Sequence, residues 1–371
     1  MTSHLPARRI LAAALSAVLM AACGAPQGAA NPTPIPVAAR TAIATSAPAV
    51  TVAPAAVAPT SAAPAGAPPA GMPAGAPPGG FGGGQAFAAT PAFANVAYAS
   101  TSATQKLDIY LPQGNGPFPV VVNLHAGGFK FMDKSAIPGT IGQALLAAGY
   151  AVVGVDYRLS GEAAFPAAVL DVRAAIRFLR ANATQYQLDP NRVAAFGQSA
   201  GGNLAAMLGT TGTSTAFDEA SLGNASVSSA VQAVVDWFGP TDFGQMDAQA
   251  KAQGCDASAQ THSDASSFES AYLGASVAAA PDLVAKANPI TYIAGQPAAG
   301  VPPFLVQKGD QDCTVAIANT KMLADALQAA GATVEYDLLA GVGHGDTGSA
   351  PVFEGAANIQ RVITFLKTSL K

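Results

Sequence analysis

From residue 93 to the C-terminus, short runs of apolar residues alternate with segments in which apolar residues recur at helical spacing. The runs at residues 119–124, 151–155 and 193–196 are apolar apart from Asn123, which is typical of strands buried on both faces. Helical spacing is clearest directly after Phe165-Pro166. The same patterns predict further strands at 107–111, 231–237, 304–307 and 334–339, and further helices at 141–148, 315–330 and 353–370.

Strands that alternate with helices predict an α/β fold, with a mostly parallel sheet covered by helices on both faces. The strand at 107–111 has no helix between it and the next strand, so we expect it to begin an antiparallel edge. The alternation stops at about residues 241–300, which are polar in the middle and contain a short helical pattern at 282–287. We interpret this stretch as an insertion that lies over the functional site.

The helix that follows Phe165-Pro166 also carries three arginines. Its apolar face contains Val169, Val172, Ile176 and Leu179. Arg173, Arg177 and Arg180 project away from that face, and we expect them to form a solvated surface.

The N-terminal segment has the composition of an export signal. Arg8 and Arg9 precede a short apolar run at 10–22, which is too short to span a bilayer as a stable helix. The run ends in Met20-Ala21-Ala22-Cys23, which resembles a bacterial lipobox, in which the cysteine is lipidated. We therefore expect residues 1–23 to be a signal and Cys23 to anchor an exported protein in a membrane. Ordinary cleavage nearby, which would give a soluble secreted protein, is the alternative.

The composition of the chain after residue 23 indicates its domain organisation. Residues 24–92 are mostly Ala, Pro, Gly, Ser and Thr and cannot bury enough surface to fold, so they predict a disordered tether before a catalytic domain at 93–371. The chain of 371 residues has a net charge of −4, and this balance argues against nucleic-acid binding. No sequence feature indicates an obligate protein partner.

Two cysteines follow the tether, Cys255 and Cys313. In an oxidising compartment, they predict one disulfide that closes a long loop. The alternative is two separate buried thiols.

The strongest chemical motif is Gly197-Gln198-Ser199-Ala200-Gly201, which joins the strand at 193–196 to an apolar helical segment. A serine at a sharp strand-to-helix turn has a strained backbone and an exposed hydroxyl, and the flanking glycines leave room for that turn. This arrangement indicates a nucleophile, and it requires a base, an acid and an oxyanion hole elsewhere in the chain.

The base is expected to be one of four histidines. His4 belongs to the signal, and His125 begins a glycine turn after a buried strand. His262 lies among polar residues of the insertion and is interpreted as a solvated loop histidine. His344 directly follows the last predicted strand on a glycine-rich loop, so the sequence favours His344.

The acid and the oxyanion donors are expected on loops that follow buried strands. Gly309-Asp310-Gln311-Asp312 follows the strand at 304–307 and offers two carboxylates, Asp310 and Asp312. His125-Ala126-Gly127-Gly128 follows the strand at 119–124, where Gly127 and Gly128 allow a substrate to approach the backbone. Their N–H groups, with that of Ala200 at the start of a helix, are candidate oxyanion donors.

These residues resemble the α/β-hydrolase superfamily and, within it, carboxylesterases of the hormone-sensitive-lipase type and bifunctional feruloyl and acetyl-xylan esterases. The resemblance extends from Leu107 to the C-terminus. The residues that carry it are His125-Ala126-Gly127-Gly128, Asp156-Tyr157-Arg158-Leu159, Phe165-Pro166-Ala167-Ala168, Gly197 to Gly202, Asp236 to Phe243, Ala287-Asn288-Pro289-Ile290 and Gly343-His344-Gly345.

The resemblance implies an α/β-hydrolase fold with a lid insertion after the sixth strand, and it implies the chain order Ser, Asp, His. It also favours Asp312 as the acid, because Asp312 stands three residues after a glycine and three before a valine. Two positions depart from the family. Ala126 stands where glycine is usual, and the helical cap of the lipase type has no room before His125. The insertion at 241–300 must then act as the lid, which favours the feruloyl and acetyl-xylan branch.

The implied activity is hydrolysis of carboxylic esters by Ser199, Asp312 and His344, with no metal and no organic cofactor. The substrates would be feruloyl or acetyl esters of plant polysaccharide, or else lipid esters or polyesters. Two alternatives stay open, a serine peptidase of the prolyl-oligopeptidase type and a catalytically inactive surface lipoprotein. Trp237 is interpreted as a core residue rather than a surface for stacking a ligand.

Overall fold

Eight strands form one mixed sheet in the part of the chain that the computed structural model describes, residues 87–294, 300–346 and 351–371. The strand order is β1-β2-β4-β3-β5-β6-β7-β8. The first two strands are antiparallel to their neighbours, and the other pairs are parallel. The strands are β1 (Phe93–Ala97), β2 (Lys106–Tyr110), β3 (Phe118–Leu124), β4 (Ala151–Val155), β5 (Leu188–Gln198), β6 (Ala233–Trp237), β7 (Phe304–Gly309) and β8 (Val334–Leu339).

The helices of the described residues lie in the connections between these strands and after the last one. They are α1 (Gly139–Ala147), α2 (Ala167–Ala181), α3 (Ala200–Thr211), α4 (Met246–Gln253), α5 (Phe268–Leu273), α6 (Pro281–Ala287), α7 (Ile317–Ala329) and α8 (Ala356–Ser369). Short 3₁₀ turns occur at Ala220–Leu222, Phe243–Gln245, Ala257–Ala259, Val277–Ala279 and Pro289–Tyr292. Among the described helices, none combines the length and the apolarity needed to cross a bilayer.

Both faces of the sheet are buried, as the largely apolar strands require. Val120 and Val122 of β3 belong to one core cluster, which also contains the apolar residues of α2, α3 and α7. Val121 faces the opposite way, into a second cluster with α1 and α8. The predicted mostly parallel sheet with helices on both faces is therefore confirmed, and so is the antiparallel edge at 107–111. The sequence patterns predict no strand at the position of β1, the outermost strand of the sheet.

The described contacts of the sheet begin before residue 93. The Phe87 ring packs edge-on against Tyr110, with 4.8 Å between the ring centroids, and the Ala92 N–H donates to the Ile109 carbonyl at 2.8 Å. Residues 87–92, which the composition assigned to the tether, therefore contact the domain, because one aromatic side chain is enough to dock a segment of small residues. The predicted signal at 1–23 with Cys23, and the rest of the predicted tether, lie outside the described residues.

The expectation of a solvated arginine face on α2 is wrong. Arg173 and Arg177 are buried. Arg173 donates to the Thr211 backbone oxygen, to the Ser214 carbonyl at 3.1 Å and to Asp218 at 2.8 Å. These partners are the last residue of α3 and residues of the segment that follows it. Helical periodicity counts apolar residues only and gives no sign that a later loop supplies acceptors for the guanidinium groups.

The segment between β6 and β7 is where the regular alternation ends, as the sequence indicates. It contains α4, α5 and α6 and most of the 3₁₀ turns, and its predicted helix at 282–287 is α6. We refer to residues 241–300 as the insertion. Trp237, just before it, is fully buried in the sheet, in agreement with its interpretation as a core residue, and its indole N–H donates to Gln307 at 2.6 Å.

We expect Arg173→Ala to lower the free energy of unfolding by about 3 kcal/mol, because it empties a buried site and leaves backbone carbonyls of the 211–214 turn without a donor. Arg192→Ala is the matched control, since Arg192 is 36% exposed in its side chain and pairs with Asp189 on the surface. That variant should change stability by less than about 1 kcal/mol. Urea denaturation checks both, and equal effects of the two substitutions would contradict a buried role for Arg173.

Candidate active site

Ser199 occupies the turn between β5 and α3 in a strained backbone conformation. Its φ of 53° and ψ of −119° lie in a region that residues other than glycine rarely adopt. The Ser199 N–H donates to the Trp237 carbonyl at 2.9 Å, which ties the turn to the neighbouring strand β6. Gly201 approaches the backbone oxygen of Leu124 so closely that a Cβ there would collide with it. This close approach explains the glycine that follows the serine in the motif.

Ser199, His344 and Asp312 form a continuous hydrogen-bonded chain. His344 Nε2 lies 2.8 Å from Ser199 Oγ, and His344 Nδ1 lies 2.8 Å from Asp312 Oδ2. The three residues follow β5, β8 and β7, and the carboxyl ends of parallel strands meet at one edge of a sheet. In this arrangement, the imidazole can accept the serine proton at Nε2 while the carboxylate holds the N–H at Nδ1.

Asp312 is fully buried, and each carboxylate oxygen has partners. Oδ1 accepts from the N–H groups of Thr314 at 2.8 Å and Val315 at 2.9 Å, while Oδ2 accepts from Lys308 and His344. Burial acts to raise the pKa of Asp312, but the charges and hydrogen bonds of His344 and Lys308 outweigh it and hold the pKa well below its usual range. Asp312 therefore stays ionised and can stabilise a positively charged imidazole.

Asp310, the other candidate acid, is hydrogen-bonded to the backbone of the loop that follows β8. Its Oδ1 accepts from the Gly341 N–H at 2.8 Å and so fixes the loop that follows β8. The two carboxylates of this loop therefore have different roles. Asp312 contacts His344, and Asp310 orders the loop that carries His344.

Lys308 is a residue of the site that sequence reasoning missed. Its side chain is 0% exposed, and it donates to Asp312 from the second-to-last residue of β7. Burial lowers the pKa of Lys308, while the carboxylates of Asp312 and Asp236 favour its charged form. Asp236 is also buried, and burial raises its pKa to about 7. A lysine close behind the apolar residues 304–306 of β7 was the available signal, because an unpaired lysine is almost never buried.

The loop after β3 carries the candidate oxyanion donors. Gly127 and Gly128 have φ values of 109° and 59°, and a Cβ on Gly128 would lie 2.8 Å from Cγ of Phe268. The loop lies next to Ala200, the first residue of α3, because β3 and β5 are parallel neighbours with Leu124 opposite Gly197. Phe129 of the same loop stacks on Tyr272 of the insertion, with 3.8 Å between the ring centroids.

The two remaining described histidines are engaged elsewhere. His125 is buried and stacked on Tyr157, and burial lowers its pKa to about 4, so it stays neutral near pH 7. His262 is not a solvated loop histidine as expected, because its side chain is 14% exposed and its Nδ1 lies 3.0 Å from Glu269 Oε1. Burial acts to lower the pKa of His262. The hydrogen bond and charge of Glu269, together with Asp247 and the Thr314 backbone, outweigh burial and raise the pKa.

Cys255 and Cys313 form the predicted disulfide, with 5.6 Å between their Cα atoms. Cys255 lies just after α4 and Gly254, and Cys313 lies in the loop that carries Asp312. We call that loop the acid loop (residues 309–315). The Gln253 side chain adds a hydrogen bond to the Asp312 carbonyl at 2.7 Å. The insertion is thus fixed covalently beside the triad acid. Among the described residues, no group of three or more His, Cys, Asp or Glu side chains could hold a metal ion.

Comparisons with known proteins agree with this geometry. The family model described as BD-FAE matches residues 107–327, a range that includes Ser199 and Asp312. Among curated proteins, the esterase LipC of Mycobacterium tuberculosis is 28% identical over 230 residues, which are 62% of this chain and 53% of LipC. The chain therefore spans about half the length of this curated relative.

Two solved structures extend the similarity over most of the described domain. A truncated form of a carbohydrate esterase from gut microbiota is 30% identical, has a TM-score of 0.66, and is matched over 99% of its length and 77% of this chain. A bifunctional GH43-CE protein of Bacteroides eggerthii is 33% identical with a TM-score of 0.65, over 35% of its length and 75% of this chain. These similarities confirm the predicted fold class.

We expect Lys308→Met to lower the free energy of unfolding by about 3 kcal/mol, because it removes the ammonium group that pairs with the buried Asp312 charge. Lys321→Met is the matched control, since Lys321 and Asp325 form another Lys–Asp pair four residues apart whose side chains are 51% and 57% exposed. Its effect should stay within about 0.5 kcal/mol. Denaturant unfolding measures both, and a tolerated Lys308→Met would show that Asp312 does not need the lysine.

We also expect the disulfide to contribute about 4 kcal/mol to stability in the chain-entropy account, because it closes a loop whose ends are 58 residues apart. The Cys255→Ser/Cys313→Ser double variant should lose about that much free energy of unfolding relative to the oxidised protein. Mass spectrometry supplies the check on pairing. Alkylation of both Cys255 and Cys313 without a reductant would contradict the bond.

Proposed function

Because the chain belongs to the BD-FAE family of the α/β-hydrolase superfamily, we propose that it is a serine carboxylesterase that works through an acyl-enzyme. The observation that carries the proposal is the chain of two 2.8 Å contacts from Ser199 through His344 to Asp312. Esterases among the curated relatives and the solved structures support the same activity.

In the acylation step, His344 Nε2 accepts the Ser199 proton while Oγ attacks the ester carbonyl carbon. Asp312 holds the other imidazole N–H and stabilises the imidazolium that forms. The N–H groups of Gly127, Gly128 and Ala200 bind the negative oxygen of the tetrahedral intermediate, each contributing about 3 kcal/mol to transition-state stabilisation. As the intermediate collapses, the carbonyl re-forms, the ester C–O bond breaks, and His344 returns its proton to the departing alcohol.

Water completes the cycle by the same route. His344 removes a proton from a water molecule, whose oxygen attacks the acyl carbon, and the Ser199 oxygen leaves with the proton that His344 holds. Each step uses groups that the chain itself supplies. The proposal therefore needs neither a metal ion nor an organic cofactor.

The proposed substrates are acetyl or feruloyl esters of polysaccharide. The carbohydrate esterase from gut microbiota and the GH43-CE protein support this class. We further propose that the insertion at 241–300 acts as a lid, which Phe268 over Gly128 and Tyr272 against Phe129 support. Esters of lipids or synthetic polyesters are the alternative substrates for the same chemistry.

Export to a membrane surface is also part of the proposal. It rests on Arg8, Arg9, the apolar run at 10–22 and the cysteine at position 23. A lipid on Cys23 and the segment at 24–86 would then tether the domain, and a soluble secreted form is the alternative.

With p-nitrophenyl acetate as substrate, we expect Ser199→Ala to lower kcat by about 10⁶, because the nucleophile acts as a unit with its base. Asp312→Asn should lower kcat by about 10⁴, since an amide favours the wrong imidazole tautomer. Asp310→Asn is the matched control and should retain most of the activity. Steady-state kinetics check all three, and near wild-type turnover by Ser199→Ala would refute the mechanism.

A further inference from the structure

A cleft of about 390 Å³ opens between the insertion and the acid loop. One wall comes from residues 258–269 of the insertion, and the other comes from Cys313 and Thr314. This volume lies within the range of about 300–1,000 Å³ that is common for ligand sites. The disulfide and the His262 contacts hold the two walls together, so the cleft is built into the fold.

The cleft adjoins the catalytic groups at two places. Phe268 lines it and also lies against Gly128 in the oxyanion loop. Thr314 lines it from the other side, and its N–H donates to Asp312. A ligand in the cleft would therefore contact one residue that packs on the oxyanion loop and one residue that is bonded to the triad acid.

The walls of the cleft combine hydroxyl-bearing and acidic side chains with a larger apolar surface. The polar side chains include Ser258, Thr261, Asp264, Ser266, Ser267 and Thr314. An apolar acyl chain in this cleft would remove water from these groups and give them no hydrogen-bond partner in return. A ligand rich in hydroxyl groups replaces that water with hydrogen bonds. These polar groups thus favour the alcohol side of a sugar ester over its acyl side, and the apolar surface between them suits the C–H faces of a sugar ring.

Two adjacent residues of the cleft wall, Phe268 and Glu269, could also contact a sugar ring. Glu269 accepts from His262 with Oε1, and its Oε2 has no hydrogen-bond partner among the described residues. A carboxylate oxygen fixed in this way is a strong acceptor for a hydroxyl group. Phe268 packs edge-on against Phe131 and has the Lys130 ammonium 6.0 Å from its ring centroid, but at 36% exposure part of its ring stays open beside Glu269. An aromatic face carries partial negative charge and attracts the C–H groups of a sugar ring.

We propose that this cleft binds the sugar ring that carries the ester, with Glu269 accepting from its hydroxyl groups and Phe268 lying against its C–H face. The proposal rests on the esterase function proposed above. It places the alcohol that leaves during acylation in this cleft. Glu269 and Phe268 determine specificity here and have no part in the proton transfers at Ser199.

The test compares two esters with the same acyl group, acetylated xylo-oligosaccharide and p-nitrophenyl acetate. Phe268→Ala and Glu269→Gln should each lower kcat/KM for the first, relative to the second, by about tenfold or more. Leu338→Ala is the matched control, because Leu338 is an exposed apolar residue on β8, with 49% exposure, and should leave the ratio unchanged. An unchanged ratio in Phe268→Ala, whose partly exposed side chain can be removed without unfolding, overturns the proposal. Methyl ferulate serves as a third substrate, and a loss of activity confined to it also overturns the proposal, since that would place the acyl group in the cleft.

Binding gives a second measurement that does not depend on turnover. Unacetylated xylotetraose should bind the full-length Ser199→Ala protein in isothermal titration calorimetry, and Ser199→Ala/Glu269→Gln should bind it at least about tenfold more weakly. Absence of binding to the first protein overturns the sugar site. Failure of the wild-type protein to hydrolyse either ester would instead refute the proposed function, and the two failures can be told apart.

Discussion

The site depends on how the buried Asp312 carboxylate is satisfied. A carboxylate at 0% exposure is stable only when donors surround it, and four donors do so here. Two are N–H groups of its own loop, one is the His344 ring, and one is Lys308. The same four contacts fix the shape of the acid loop, the orientation of the imidazole and the position of a buried lysine. Local loop geometry and the alignment of the catalytic groups therefore have a single physical origin.

Much of this arrangement can be read from the sequence because parallel strands impose it. Each of Ser199, Asp312 and His344 lies in the loop or turn after a largely apolar strand, and the carboxyl ends of parallel strands share one edge. The disulfide followed from counting cysteines after the tether. The choice between Asp310 and Asp312 did not follow from residue type alone. It depends on which carboxylate the turn after β7 points toward His344, and only the resemblance favoured Asp312 at that stage.

Sequence patterns give a wrong prediction or no prediction where a buried polar side chain is paired with an acceptor, whether that acceptor is distant in the chain or only a few residues away. Arg173 receives its acceptors from the end of α3 and the segment after it, His262 is paired with Glu269, and Lys308 is paired with Asp312. Periodicity describes how one element divides between core and solvent, and it contains no information on which later loop covers the other face. A charged residue is assigned to the surface by default, and only the tertiary partner reverses that assignment.

The attachment of the insertion to the acid loop has a consequence for how this scaffold can be altered. Cys313 holds the insertion through a covalent bond, and the next residue, Thr314, contacts His262 of the same insertion while donating to Asp312. Transplanting residues 241–300 alone from a relative would leave an unpaired thiol at position 313 and disturb the loop that aims the triad acid. The exchangeable unit is the insertion together with residues 309–315, so a recombination library should place its crossover points outside both.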